Sequence, residues 1–286
     1  MINIFVYGTL RQGERNSHLL KNAARVAEQC WTNGALYDTG YGYPALKQAY
    51  NSRVYGELYA ITESELTTID QLEGYSVNGE NNLYERIEQI VYTDQGEVNA
   101  IMYIANQDDL LATKIPNGDW KVHKLEANKM NSVHYFAYGS CMDDHRFKKA
   151  RVEHYFQKLC GVGVLLNYML RFTRKARDGG RADIVEEGGR VEGKVYEIPV
   201  NALEDYLYGR EGAPDTYRPT FITIDLIGER VQALTFVVVN KEPETAPPAK
   251  YEQEILRGAT GFLSDEYISK IANHMATLKE QKSGGM

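Results

Sequence analysis

The chain has 286 residues, enough for two domains of ordinary size, and its 43% hydrophobic and 25% charged residues supply material for two cores. A formal net charge of −7 argues against nucleic acid as a partner, since a phosphate-backbone binder needs a basic face. No apolar run approaches the roughly 20 residues that span a bilayer, and no basic stretch leads into a long apolar one as in a signal peptide, so no membrane partner is expected. The three cysteines, Cys30, Cys141 and Cys160, show no metal-ligand spacing, and no ligand cluster suggests a metal or organic cofactor. A reducing, cytoplasmic setting is expected.

The chain opens on Ile2-Asn3-Ile4-Phe5-Val6-Tyr7-Gly8-Thr9-Leu10, an apolar run that stops at an aromatic, a glycine and a hydroxyl residue. This pattern predicts a buried strand ending in a tight loop, with Gly8 letting the chain turn and bringing backbone N–H groups close to a ligand. A short helix is expected from His18 to Ala24, then a strand from Arg25 to Tyr37. Asp38 to Leu46 is rich in turn formers and reads equally as a pocket wall or a surface turn. Arg53 to Ile61 reads as a strand. Thr62-Glu63-Ser64-Glu65 has capping-box spacing, and Leu66, Ile69 and Leu72 follow at helical intervals, so a helix starts near Glu63 and stops at Gly74. Ile87–Tyr92 and Val98–Ile104 flank an Asp94-Gln95-Gly96 turn and predict a hairpin. Asn106 to Asn131 is polar and reads as the join between domains 1–128 and 129–286.

The opening pattern then returns as Val133-His134-Tyr135-Phe136-Ala137-Tyr138-Gly139-Ser140-Cys141. A charged helical segment over Met142–Phe156 and a strand over Val162–Phe172 are expected next, then a basic glycine-bearing loop from Arg174 to Arg181. Ala182–Val185 and Arg190–Ile198 are strand candidates. Asn201 with Glu204 resembles a helix cap, and that helix runs into Glu211-Gly212. Phe221–Leu226 and Val231–Val239 predict strands, Lys241–Ala249 a proline-rich loop, and Tyr251–Ala259 a helix. Ser264 can cap a last helix carrying Ile268, Ile271, Met275 and Leu278, with a frayed tail from Lys279 to Met286. Both halves therefore share one ordered series: strand, Tyr-Gly-(Thr/Ser), strands, helix, Glu-Gly, loop, Tyr followed closely by Arg, hairpin. Internal duplication explains it most economically.

Tyr7-Gly8-Thr9-Leu10, Tyr43-Pro44-Ala45, Asp70-Gln71-Leu72-Glu73-Gly74-Tyr75 and Leu83-Tyr84-Glu85-Arg86 together resemble the γ-glutamylcyclotransferase-like superfamily, the first half being most similar to its γ-glutamylamine cyclotransferase branch. Tyr138-Gly139-Ser140, Glu192-Gly193, Glu211-Gly212 and Tyr217-Arg218 resemble the γ-glutamylcyclotransferase branch. The resemblance covers nearly the whole chain. It implies an α+β fold of two tandem domains, each a small mixed β-barrel flanked by helices, with the Tyr-Gly loop and one glutamate facing a pocket. It also implies a reaction in which the α-amino group of a small γ-glutamyl compound attacks its own γ-carbonyl carbon. That closes the ring of 5-oxoproline and releases an amine or amino acid.

Such chemistry needs a group that takes a proton from the attacking ammonium and returns one to the leaving nitrogen. A carboxylate within hydrogen-bond reach does this, for a gain of about 10²–10⁴ in rate. Glu73 and Glu211 are the catalytic candidates, and a partly desolvated site would raise their pKa toward working pH. The substrate-binding candidates are Tyr7, Gly8, Thr9 and Leu10 in the first half, and Tyr138, Gly139, Ser140 and Cys141 in the second. Their backbone N–H groups would hold a carboxylate or a developing oxyanion. Tyr7 and Tyr138 read equally as core residues. Arg86 and Arg218 read better as structural ion-pair partners, Cys141 as a small packing residue rather than a nucleophile, and Arg174, Lys175 and Arg177 as a solvated cluster. The alternative to an enzyme is a non-catalytic binding or regulatory protein that holds a γ-glutamyl metabolite.

Overall fold

The computed structural model describes residues 1–127 and 130–284, so the junction expected at 128/129 lies outside the described residues. The chain divides into two compact units, Met1–Lys124 and Leu125–Met286.

In the first unit, β1 (Ile2–Val6), β2 (Ala24–Asn33), β3 (Ala35–Asp38), β4 (Pro44–Lys47) and β5 (Arg53–Ile61) precede helix α1 (Glu63–Leu72). Then come β6 (Tyr84–Thr93), β7 (Gly96–Ala105), β8 (Thr113–Ile115) and helix α2 (Trp120–Ala127). Five strands close a barrel in the order β1-β5-β2-β6-β7, antiparallel except where β1 meets β7, and β4-β3-β8 form a separate sheet. Ile4-Phe5-Val6 of β1 are apolar in succession because both faces of the strand are covered there. Phe5 and Tyr7 pack with Leu58 and Met102, while Ile4 and Val6 pack in a second cluster with Leu66 and Ile69 of α1. The capping box is formed: the Thr62 hydroxyl accepts the Glu65 N–H (3.2 Å), and the Glu65 carboxylate accepts the Thr62 N–H (2.8 Å).

In the second unit, β9 (Ser132–Ala137) leads through a 3₁₀ turn to α3 (Asp144–Ala150). Then follow β10 (Lys158–Leu166), β11 (Met169–Ala176), β12 (Gly179–Val185), β13 (Arg190–Pro199) and α4 (Tyr208–Glu211). β14 (Tyr217–Leu226), β15 (Glu229–Val238), α5 (Ala249–Ala259) and α6 (Asp265–Gly284) complete it. Its barrel closes as β10-β13-β9-β15-β14, which is the cyclic order of the first barrel strand for strand, with one parallel contact between β9 and β15. Phe147 of α3 stacks on Phe156 at 3.7 Å between centroids, and Tyr196 and Tyr206 meet both rings edge-on.

Several local expectations are corrected. The helix expected at His18–Ala24 is one 3₁₀ turn, Ser17–Leu20, because Ala24 already enters β2. Within the expected turn Asp38–Leu46, Pro44 to Leu46 pair with β3 as β4. The polar join contains β8 and α2, whose Ile115 and Trp120 are buried in the first core. The basic loop is mostly the β11–β12 hairpin. Asn201 does not cap a helix; its side chain bonds Asp205, and Leu203–Leu207 form a π-helical turn before α4. The tail is helical through Gly284.

Candidate functional site

In each unit one barrel strand delivers the Tyr-Gly loop to a cavity, and one helix end delivers a glutamate to the same cavity. The first cavity, about 220 Å³, is lined by Tyr7, Gly8, Thr9 and Leu10 and by Glu73, together with Tyr43, Tyr84 and Tyr103. The second, about 440 Å³, is lined by Tyr138, Gly139, Ser140 and Cys141 and by Glu211, together with Tyr217 and Tyr251. Every candidate residue read from the sequence therefore lies on a cavity wall. Arg86 and Arg218 do not: Arg86 pairs with Asp70 at 2.6 Å and Arg218 is buried.

The loops are held by groups that come from the strand beside them. In the first unit Glu57, opposite Val6 in the β1–β5 register, accepts the Gln12 N–H at 2.8 Å. The buried Arg11 reaches both Glu57 (3.4 Å) and Asp119 (2.8 Å). In the second unit the corresponding place, opposite Ala137, is Lys194, which donates to the Met142 carbonyl at 2.8 Å. An acid on one barrel and a base on the other thus clamp equivalent loops through opposite halves of the peptide group. Gly8 is not in a left-handed conformation. A Cβ there would meet Pro44 of β4 at 2.7 Å, so the requirement is close packing. No turn or loop hydrogen bond of the described residues is donated by the amides of Gly8, Thr9 and Leu10, or of Gly139, Ser140 and Cys141. These backbone amides line the two cavities with no protein acceptor among the described residues.

The tyrosines serve core and cavity together. Tyr7 and Tyr138 are buried, and their hydroxyls donate to the Tyr103 and Phe236 carbonyls (2.8 and 2.5 Å). Tyr84 and Tyr217 likewise donate to the Pro44 and Ala182 carbonyls (3.1 and 2.7 Å). With their protons spent on backbone, these hydroxyls shape the walls; burial above all, with a smaller contribution from the nearby acids, holds the tyrosine pKa values up.

The two glutamates sit differently. Glu73 follows the last residue of α1, and Gly74 behind it takes φ 63°, the left-handed turn that ends the helix and points the acid inward. No hydrogen bond of the described residues reaches its carboxylate, and burial among the tyrosines pushes its pKa up to about 7. Glu211 closes α4, and Gly212 repeats the left-handed stop at φ 62°. Its carboxylate, however, accepts the Cys141 thiol (3.3 Å) and pairs with Arg210 (3.5 Å). Arg210 also reaches Cys141 Sγ (3.3 Å) and the Ser140 hydroxyl (3.0 Å), spanning from the acid to the loop. Burial raises the Cys141 pKa despite Arg210, so the thiol keeps its proton and acts as a donor. His145 is bonded to Asp143 and forms no dyad with Cys141.

Sequence reasoning missed the arginines of the second cavity. Arg146, Arg174, Arg181, Arg210 and Lys250 line it against Asp178, Glu211 and Glu254, whereas the first cavity has Arg15 and Glu73. Arg174, read as part of a solvated loop, belongs to this wall. The readable signal was the residue before each Glu-Gly: Leu72 in one half, Arg210 in the other.

Two barrels of one topology, each pairing a Tyr-Gly loop with a helix-end glutamate, define a duplicated cavity protein, and comparison with known proteins gives the family. Residues 4–122 match the family model described as gamma-glutamyl cyclotransferase, AIG2-like, and residues 190–271 match the AIG2-like family. The chain is 43% identical to YkqA of Bacillus subtilis over 280 residues, covering 96% of this chain and 98% of that protein. The crystal structure of YkqA aligns with a TM-score of 0.88 over 97% of this chain and 98% of the other. The gamma-L-glutamyl-butirosin B gamma-glutamyl cyclotransferase of Niallia circulans is 42% identical over 127 residues, 44% of this chain and 80% of that enzyme. The gamma-glutamylcyclotransferase family protein YtfP of Escherichia coli K12 is 34% identical over 119 residues, 42% of this chain and 96% of YtfP. The chain belongs to the gamma-glutamylcyclotransferase (AIG2-like) family, as a tandem of two such domains.

Proposed function

We propose that the protein cyclises the γ-glutamyl group of a small γ-glutamyl compound to 5-oxoproline, with Glu73 and Glu211 as general acid and base. The observation that carries this reading is the first cavity. There a carboxyl with no hydrogen-bond partner among the described residues, its pKa pushed up to about 7, shares a space of about 220 Å³ with backbone N–H groups that have no protein acceptor among them. Glu73 takes a proton from the substrate ammonium, and the freed amine attacks the γ-carbonyl carbon. The N–H groups of Gly8, Thr9 and Leu10 stabilise the negative oxygen of the tetrahedral adduct. The carbonyl re-forms as the bond to the leaving nitrogen breaks; Glu73 returns its proton to that nitrogen and takes the second proton from the ring nitrogen, which the departing amine carries away as an ammonium. A pKa near working pH suits a group that must do both.

The second cavity has the same parts in a different electrostatic setting, since Glu211 accepts the Cys141 thiol and pairs with Arg210. That pairing favours a second reading for this cavity alone, in which it holds a γ-glutamyl metabolite without turning it over. The test is release of 5-oxoproline from a panel of γ-glutamyl amines, amino acids and peptides, scored by mass spectrometry. Glu73→Gln combined with Glu211→Gln should lower turnover by about 10²–10⁴ with an unchanged circular dichroism spectrum. Full turnover in the double variant would rule out both acids.

A further inference from the structure

A second group of chemistry-bearing side chains lies on the second barrel and lines neither cavity. In the barrel register Glu197 of β13 stands opposite His134 of β9 on one side and Lys158 of β10 on the other. The β10 register slips between Leu159 and Gly161, so Cys160 is the extra residue of a β-bulge, the device that re-aims a side chain at a sheet surface. The outcome is that a ring nitrogen of His134, the Cys160 sulfur and a Glu197 oxygen all lie within 4.8 Å of one another, each residue half-buried. Among the described residues this is the one such group of three.

The duplication supplies a control inside the same molecule. In the first barrel Asn3 and Ala24 stand opposite Ala60, and β2 slips between Arg25 and Ala27, leaving Val26 as the extra residue. The bulge and the pairing are thus common to both barrels, while the three positions hold Asn3, Val26 and Ala60 in one and His134, Cys160 and Glu197 in the other. Barrel closure does not demand an imidazole, a thiol or a carboxylate there. Ser132 (3.0 Å) and Lys158 (2.5 Å) account for Glu197, but neither accounts for an imidazole and a thiol converging on it.

We propose that His134, Cys160 and Glu197 bind a zinc-type divalent cation on the wall of the second barrel. Imidazole, thiolate and carboxylate form a donor set for a borderline-soft ion, whereas magnesium and calcium take oxygen ligands. With bonds of about 2.0–2.3 Å, tetrahedral donors stand roughly 3.3–3.8 Å apart, so the three side chains close by about an ångström onto the ion. Binding releases the thiol proton and displaces the exposed Lys158 ammonium from Glu197, and the fourth position takes water.

The experiment uses the full chain, free of any purification tag and stripped with chelator, titrated with Co²⁺ and then with Zn²⁺. The expected result is a near-ultraviolet thiolate-to-cobalt absorption with tetrahedral visible bands, lost on addition of Zn²⁺ and absent in Cys160→Ser. His134→Ala should weaken Zn²⁺ binding by more than the ~10–100-fold that loss of a supporting hydrogen bond costs. Lys158→Ala should tighten it by removing a competing cation. These readouts do not depend on turnover in either cavity. Wild-type protein that shows no thiolate–cobalt band with cobalt in large excess, or a band that survives in Cys160→Ser, would overturn the site.

Discussion

Glu73 and Glu211 occupy matching places at the ends of their helices and differ in their neighbours. Glu73 is preceded by Leu72 and has no hydrogen bond to its carboxylate among the described residues, while Glu211 is preceded by Arg210, which pairs with it. The consequence for Glu73 has a definite sign. Its folded pKa of about 7 lies above the ordinary 4.5, so the folded protein holds this proton more tightly than the unfolded chain. The stability this contributes is complete below pH 4.5 and is lost as pH rises through about 7, above which a half-buried charge opposes folding. Glu73→Gln should therefore unfold at higher denaturant than wild type at pH 8, by up to about 3 kcal/mol, with little difference at pH 4.5. Urea unfolding at the two pH values measures this. Turnover that depends on Glu73 as the base should rise with pH around an apparent pKa near 7.

At the scale of elements, the strand-to-loop corner is built around contact. Pro44 of β4 presses on Gly8, so Gly8→Ala should cost about 1–3 kcal/mol, as overpacking generally does, and weaken substrate binding through the shifted loop. Gly139→Ala should be milder, since the nearest atom to its Cβ is the Ala182 methyl at 3.2 Å. Thermal melts of the two variants give the comparison. The helices that present the acids differ as well. α1 is regular from its capping box to Glu73, whereas the helix before Glu211 passes through the π-helical turn Leu203–Leu207. Wide turns of this kind recur at functional sites.

At the scale of the molecule, each barrel closes with its own strands, and β8, from the stretch that reads as a linker, joins the β3–β4 sheet of the first unit. A chain of residues 1–127 should therefore fold cooperatively by itself and carry the proposed Glu73-dependent release of 5-oxoproline, measured by denaturation and product assay. In the full chain, comparison of Glu73→Gln with Glu211→Gln divides turnover between the cavities. A chain whose whole activity disappears with Glu73→Gln alone would assign the second cavity a binding role.

The duplication, the strand before each Tyr-Gly bend, the capping box and the two Glu-Gly helix stops are all legible in sequence, because each rests on local periodicity or on backbone chemistry within a few residues. Tyr84 over Pro44, Lys194 under Met142, Arg210 across to Ser140, and the meeting of His134, Cys160 and Glu197 are not legible that way. They depend on which strands become neighbours when the sheet closes and on a one-residue slip in register. Barrel closure carries that information, and it decides that one acid is left bare in a tyrosine-lined cavity while its counterpart is met by an arginine.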